Sequence, residues 1–204
     1  MKIVAIVGSP RKGSNTDLLI DQVIEGVRSK RSDVEVEKVY IYDSNIKYCT
    51  GCMAHTVVGG SKECPLDDDM KDILKKMKEA DALVFGTPNH GRTISAGLTN
   101  FLCRTFPVNH WNITHNKDGE ITDVVIKSDL GGKKAVSVIS QGDPWPSSSA
   151  LVMKILDDNL KDLKLVKVGE ILSMNNLHRG QVKEKKEDLD LAFAQGVKLA
   201  VTVQ

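Results

Sequence analysis

Lys2-Ile3-Val4-Ala5-Ile6-Val7 runs without a break into Gly8-Ser9-Pro10-Arg11-Lys12-Gly13-Ser14-Asn15-Thr16. The first six residues are a short apolar run rich in β-branched side chains, the pattern of a strand buried on both faces. The next nine hold small residues, three hydroxyls, one amide and two cations. A helical pattern follows at once. From Thr16 to Arg28 the residues Leu19, Ile20, Val23, Ile24 and Val27 share one face, and Ser14, Asn15 or Thr16 is placed to cap it. A buried strand, a polar turn and an amphipathic helix read as the first unit of a parallel α/β sheet.

The same alternation continues along the chain. Val34–Ile41 alternates apolar and charged residues, as a half-exposed edge strand does. Tyr42–Cys64 has no period and reads as loop. Asp67-Asp68-Asp69 opens a helix with Met70, Ile73, Leu74 and Met77 on one side, its acidic start matching the helix dipole. Ala82–Gly86 is a third strand, Thr87-Pro88-Asn89-His90-Gly91 a turn, and Ser95–Arg104 a helix. Leu98, Phe101 and Leu102 face inward there, and Cys103 is expected inside with them as an inert thiol. Phe106–Gly132 reads as an irregular excursion with a hairpin turn at Asn116-Lys117-Asp118-Gly119. Ala135–Ser140 and Leu165–Leu172 are further strands, and Ser147–Leu163 and Lys183–Val201 further helices. Five strands with intervening helices predict one doubly wound sheet and a single domain over residues 1–204, with the excursion at about 106–132.

Composition narrows the function classes. The chain has 28 Lys and Arg against 27 Asp and Glu, so no global field draws it to nucleic acid or an anionic membrane. No apolar run reaches the roughly 18–20 residues of a membrane span. The amino-terminal run is a strand rather than a signal peptide, and the chain is expected to be cytoplasmic. In a reducing compartment, Cys49, Cys52 and Cys64 read as metal ligands or redox groups sooner than as a disulfide framework.

In an open parallel sheet the ligand sits at the carboxyl ends of the strands. Three loops then matter: Gly8–Thr16, Thr87–Ser95 and Ser140–Pro146. The first lacks the G-x-G-x-x-G of a dinucleotide fold, and Ser14-Asn15 stands where a nucleoside triphosphate loop requires Lys-[ST]. It has neither the acidic residues of a receiver domain nor a phosphatase cysteine. What remains is a loop that binds a phosphomonoester without reacting with it. An ordinary capped turn is the plain alternative.

The loop at 8–16 resembles the FMN-phosphate loop of the flavodoxin-like NAD(P)H-dependent FMN reductases. Cys49-Thr50-Gly51-Cys52, Cys64 and Asp67-Asp68-Asp69-Met70 are similar to a segment of their iron–sulfur flavoprotein branch, and Ala80–Pro88 continues the likeness. The resemblance implies a three-layer sandwich around a five-stranded parallel sheet of order 2-1-3-4-5. It also implies bound FMN, NAD(P)H as electron donor, and a small-molecule or redox-protein acceptor. Phosphate contacts carry over to Ser9, Arg11, Ser14, Asn15 and Thr16, and the ring-side loop to Pro88, Asn89, His90, Gly91, Arg92 and Thr93. The third flavin loop carries over to Ser140, Gln141, Gly142 and Asp143. A homodimer or homotetramer is implied, with Trp111 in the excursion as the place to look for contact. A non-enzymatic electron carrier is the alternative.

Three departures stand out. His90 replaces the usual aromatic neighbour of the flavin, Arg92 stands where a small residue is frequent, and Cys103 replaces an aspartate. A cation from His90 or Arg92 beside the ring would favour the reduced flavin anion, and a solvated loop residue is the plain alternative for each. Trp145 is a candidate wall for flavin or substrate, or else a packed surface aromatic. Finally, Cys49-x2-Cys52-x2-His55-x8-Cys64 puts histidine at the third ligand position. That set suits a [4Fe–4S] cluster with one imidazole, or zinc, or a Cys49–Cys52 redox pair. The preferred reading is a loop that keeps part of the motif with its thiols free.

Overall fold

The computed structural model describes residues 1–55 and 63–203 of the 204. Its centre is a five-stranded sheet of β1 (Lys2–Val7), β2 (Glu35–Tyr40), β3 (Ala82–Pro88), β6 (Lys134–Ser140) and β7 (Val166–Ser173), in the order β2-β1-β3-β6-β7. Every pairing within it is parallel. Counted among sheet strands alone, this is the expected order. The numbering differs because β4 (Asn109–His115) and β5 (Ile121–Ser128) intervene in the chain as a separate two-stranded sheet.

Side-chain alternation along the strands separates two apolar layers. Ile3, Ala5 and Val7 of β1 join Leu19, Ile20 and Val23 of α1 (Asn15–Arg28) and Ala192 and Leu199 of α5 (Lys186–Thr202). Val4 and Ile6 point the other way. They pack with Met70, Ile73 and Met77 of α2 (Met70–Glu79), Leu98 and Phe101 of α3 (Ala96–Cys103), and Val152 and Leu156 of α4 (Ala150–Asp162). β1 has both faces covered, so Ile3 to Val7 are fully buried and the run is apolar without alternation. β2 is an edge and keeps Glu35, Glu37 and Lys38. On one side α1 and α5 cross at Gly26 and Gly196, where a Cβ on either would run into the other helix's backbone.

Two expectations need correction here. Residues 109–128 are not irregular: β4 and β5 pair antiparallel around the expected turn, where Asn116 Oδ1 accepts from Asp118 N and Glu120 N. β5 is exposed along nearly its whole length, so no buried face imprints a period on the sequence and backbone pairing carries the strand. Cys103 is exposed rather than buried. Leu98, Phe101 and Leu102 occupy the inward stripe, and a further 100° of helix turns Cys103 away. Arg104 then returns to the buried side.

Among the described residues no helix is long and apolar enough to cross a membrane.

Candidate functional site

Because the sheet is parallel, the loops after β1, β3, β6 and β7 all leave the same edge, and they meet in one cleft of about 100 Å³. Ser9, Arg11, Ser14, Asn15 and Thr16 line it from the first loop, Pro88, Asn89 and His90 from the second, and Ser140, Gln141 and Gly142 from the third. Asn176, after β7, completes the wall.

Short hydrogen bonds hold the walls together. Gly8 N donates to Gly86 O at 2.8 Å, Ser95 Oγ to Gly8 O at 2.5 Å and Asn89 N to Ser140 O at 2.8 Å. Thr16 Oγ1 and Ser140 Oγ share a hydrogen bond of 2.7 Å, joining the first and third loops. Gly8 must lack a side chain, since a Cβ there would stand 2.6 Å from Gly86 O.

The first loop ends as a capped helix. Ser14 is the N-cap of α1 and its Oγ accepts from Asp17 N at 3.3 Å, while Gly13, at φ 64°, donates its N–H to Asp17 Oδ2 at 2.7 Å. A buried carboxylate beside an anion site would oppose it, but Asp17 is neutralised by an ion pair with Lys38. Burial draws Lys38 toward its neutral form; hydrogen bonds to Asp17, Asp21 and Tyr40 outweigh that and raise its pKa. The positive end of α1 is left facing the cleft, with the hydroxyls of Ser9, Ser14 and Thr16 around it and Arg11 at the exposed rim. Asn15 differs from expectation in its role. Its Nδ2 donates to His178 O at 2.8 Å and its Oδ1 accepts from Val182 N at 3.0 Å, so it clamps the loop after β7 onto the first loop.

Four expected residues stand outside the lining. Gly91 and Arg92, at φ 61° and 66°, form the tip of a two-residue turn in which His90 and Thr93 exchange backbone hydrogen bonds. Gly91, Arg92 and Thr93 are all exposed. Asp143 instead accepts from Gln141 Nε2 and from Trp145 N, both at 3.0 Å. Trp145 is 64% exposed and is neither packed nor a wall of the cleft. Asn176 was not anticipated. The carboxyl-end rule that selects the other three loops applies equally to Asn175-Asn176 and His178-Arg179-Gly180 after the last strand.

The cysteine-bearing segment is organised around Arg104 instead. Its guanidinium grips Asp68 in a fork, Nη1 to Oδ2 at 2.6 Å and Nη2 to Oδ1 at 3.0 Å, with side-chain exposures of 2% and 0%. Nη1 also donates to Lys47 O at 2.6 Å and Nη2 to Cys64 Sγ at 3.5 Å. Burial alone would raise the pKa of Asp68; Arg104 and the N–H groups of Lys47 and Met70 hold it below the usual carboxylate range. Cys49 and Cys52 are exposed, and hydrogen bonds from backbone groups, that of Ala54 first, pull the Cys52 thiol down. His55 packs its ring 5.6 Å from that of Phe106, which stacks on Trp111 at 6.1 Å, and burial lowers its pKa. The expected set Cys49, Cys52, His55 and Cys64 is therefore not assembled: His55 is turned to an aromatic stack and Cys64 to Arg104. Among the described residues no three His, Cys, Asp or Glu side chains are placed to hold a metal ion. Residues 56–62 of this segment lie outside the described residues.

The sequence model of the NADPH-dependent FMN reductases matches residues 1–137, which carry the first two cleft loops and the cysteine segment. The chain belongs to this family. Over 137 residues this FMN reductase family member is 32% identical to an iron-sulfur flavoprotein of Archaeoglobus fulgidus, covering 67% of this chain and 59% of the relative. It is 34% identical over 119 residues to an iron-sulfur flavoprotein of Methanocaldococcus jannaschii, covering 58% and 59%. The match thus spans about three fifths of the length of these relatives. Among solved structures, an NAD(P)H:quinone oxidoreductase from Methanothermobacter marburgensis superposes with a TM-score of 0.73 over 98% of each chain at 16% identity. The family member's fold is flavodoxin-like.

Proposed function

We propose that the chain is an oxidoreductase that binds FMN in the cleft and passes electrons from NAD(P)H to a small-molecule or redox-protein acceptor. One observation carries the reading. The start of α1 and the residues Ser9, Arg11, Ser14 and Thr16 line a cleft that opens at the carboxyl ends of β1 and β3, where the strand order reverses. Such a donor set fits a phosphomonoester dianion. FMN held by these residues would supply the hydride and electron transfer between a nicotinamide donor and the acceptor.

The protein's part is to bind and orient. Ser14 and Thr16 stand at the α1 start, and the bond between Thr16 and Ser140 fixes the distance between the phosphate end and the third loop. Lys38 keeps the Asp17 charge from opposing the phosphate. Pro88, Asn89 and His90 form the wall expected beside the ring. The cysteine segment assembles no ligand set for an iron–sulfur cluster or zinc ion among the described residues.

The test is spectroscopic. Apo-protein is titrated with FMN and with riboflavin, and the loaded protein is then mixed anaerobically with NADH or NADPH. A phosphate held by charge-assisted bonds predicts FMN binding at least about 10-fold tighter than riboflavin, and the flavin band bleaches with one or both nicotinamides. Bleaching by dithionite alone turns the assignment to an electron carrier. Equal affinity for the two flavins would refute the phosphate site.

A further inference from the structure

β5 is an open edge. Among the described residues it pairs with β4 and with no other strand, so half of its backbone N–H and C=O groups point away from the ladder. Its side chains do little to shield that edge, since Ile121, Val124 and Val125 are all exposed. The ladder sets Trp111 beside Ile126 and Ile113 beside Val124, which puts four apolar side chains on one face of the ribbon. Phe106 stacks on Trp111 at 6.1 Å, while Val124, farther along the same face, is left in solvent. A two-stranded ribbon is marginal by itself in water, and an exposed apolar edge is a template for another strand.

The charges on β5 select the partner. Asp123 and Lys127 stand at equal distances on either side of Val125. A strand that meets its own copy across a two-fold axis normal to the ribbon runs antiparallel to it, and residues equidistant from the axis face each other. With the axis at Val125, Asp123 lies opposite Lys127 of the partner subunit, Val124 opposite the partner's Ile126, and Thr122 opposite the partner's Ser128. Among the described residues neither charge has an ion-pair partner within the protomer. Asp123 Oδ1 accepts from the next backbone N–H, that of Val124, at 2.9 Å. His110, opposite Lys127 on β4, bonds instead to Asp129 at 2.6 Å, and Lys78 reaches the same carboxylate at 3.3 Å.

Other registers lose this match. An axis at Ile126 sets Asp123 against Asp129 of the partner subunit, a like-charge pair, and an axis at Val124 sets both charges against apolar residues. An axis between two residues places the apolar face of one ribbon beside the polar face of the other. We propose that β5 is the contact surface for a second copy of this chain, joined edge to edge with the partner's β5 about a two-fold axis at Val125. The result is one four-stranded antiparallel sheet in which both charges are paired twice over and the two apolar faces adjoin. A self-complementary pattern fits a second copy, because a foreign strand would have to carry the same charges at the same spacing. The inference is independent of the flavin reading.

A charge-swap cycle on the full chain decides it, read as molar mass by sedimentation equilibrium over a concentration series. Wild type should associate as concentration rises. Lys127→Glu and Asp123→Lys each set like charges opposite one another at two places in the dimer, and each should raise the dissociation constant about 10-fold or more. If wild type is larger than a dimer, either variant should halve its mass. An equimolar mixture of the two variants should associate as wild type does, since every altered charge then meets its opposite. The double variant Asp123→Lys with Lys127→Glu should associate by itself for the same reason. Lys117→Glu makes the same charge change at the exposed hairpin turn and should leave the mass unaltered. Wild type that stays monomeric at every concentration would overturn the proposal. So would single variants that keep the wild-type mass, or a loss that neither the mixture nor the double variant restores.

Discussion

The cleft and the cysteine segment are both built from polar residues in loops, yet proximity in sequence means opposite things in the two. Cleft residues come from 9–16, 88–90, 140–142 and 176, and they converge because parallel strands deliver their loops to one edge. Cys49, Cys52, His55 and Cys64 lie within sixteen residues, and they do not converge. No strand ends between Cys49 and Cys64 among the described residues; the anchor is the Arg104–Asp68 fork beneath them. Spacing suggests a site only where secondary structure turns it into geometry.

The largest expected effect falls on that anchor. Arg104→Met leaves Asp68 buried without its partner and should cost about 3–5 kcal/mol in urea unfolding at pH 7. The acid profile should change too. In wild type the folded pKa of Asp68 is depressed, so its stabilisation is complete above the unfolded carboxylate value near 3.9 and is lost as pH falls through the lower folded value. In Arg104→Met the uncompensated carboxylate is raised instead, and stability should recover on acidification toward pH 4. Parallel pH profiles for the two proteins would break the contrast between a loop held by one ion pair and a cleft held by many bonds.

Gly86→Ala is next. A Cβ there would meet Ile20 Cδ1 at 2.5 Å and Thr16 Cγ2 at 2.8 Å, so overpacking should cost about 1–3 kcal/mol and displace the hydroxyl that joins two cleft loops. Flavin affinity should fall with stability in this variant, whereas Arg104→Met should leave flavin affinity in the surviving folded protein unchanged. Arg11→Ala tests the cleft without its scaffold. Arg11 is exposed, so unfolding should stay within about 0.5 kcal/mol of wild type, while FMN binding falls about 10-fold and riboflavin binding does not.

The smallest effect is expected at Cys49→Ser and Cys52→Ser. Both thiols are exposed, and unfolding should stay within about 0.5 kcal/mol of wild type with FMN affinity unaltered. A many-fold loss of flavin, or loss of iron measured alongside it, would make the segment part of the site and erase the difference between the two regions.

Much of this was legible in the residues. Lys2–Val7 reads as a buried strand because burial on both faces demands an unbroken apolar run, and Ser14 reads as a cap because a short hydroxyl side chain can accept from the first turn. Eleven of the expected cleft residues line one pocket for the same reason: strand ends and turn chemistry are local. Cys103 was misplaced by a single position on its helix, where one residue is the difference between core and solvent. The β4–β5 hairpin was legible only at its turn, since an exposed ribbon leaves no apolar period.

Local pattern specified the strands of the sheet, the helix that begins at the first loop, and a loop suited to an anion, because period, capping and turn preference act over a few residues. Tertiary structure alone decided what those groups touch. Asn15 clamps a loop 163 residues away, Asn176 joins the cleft from beyond the last strand, and Cys64 meets Arg104 instead of its neighbouring cysteines. Such partners are chosen by the order of strands in the sheet and by the need to pair every buried charge, neither of which is written in any one segment.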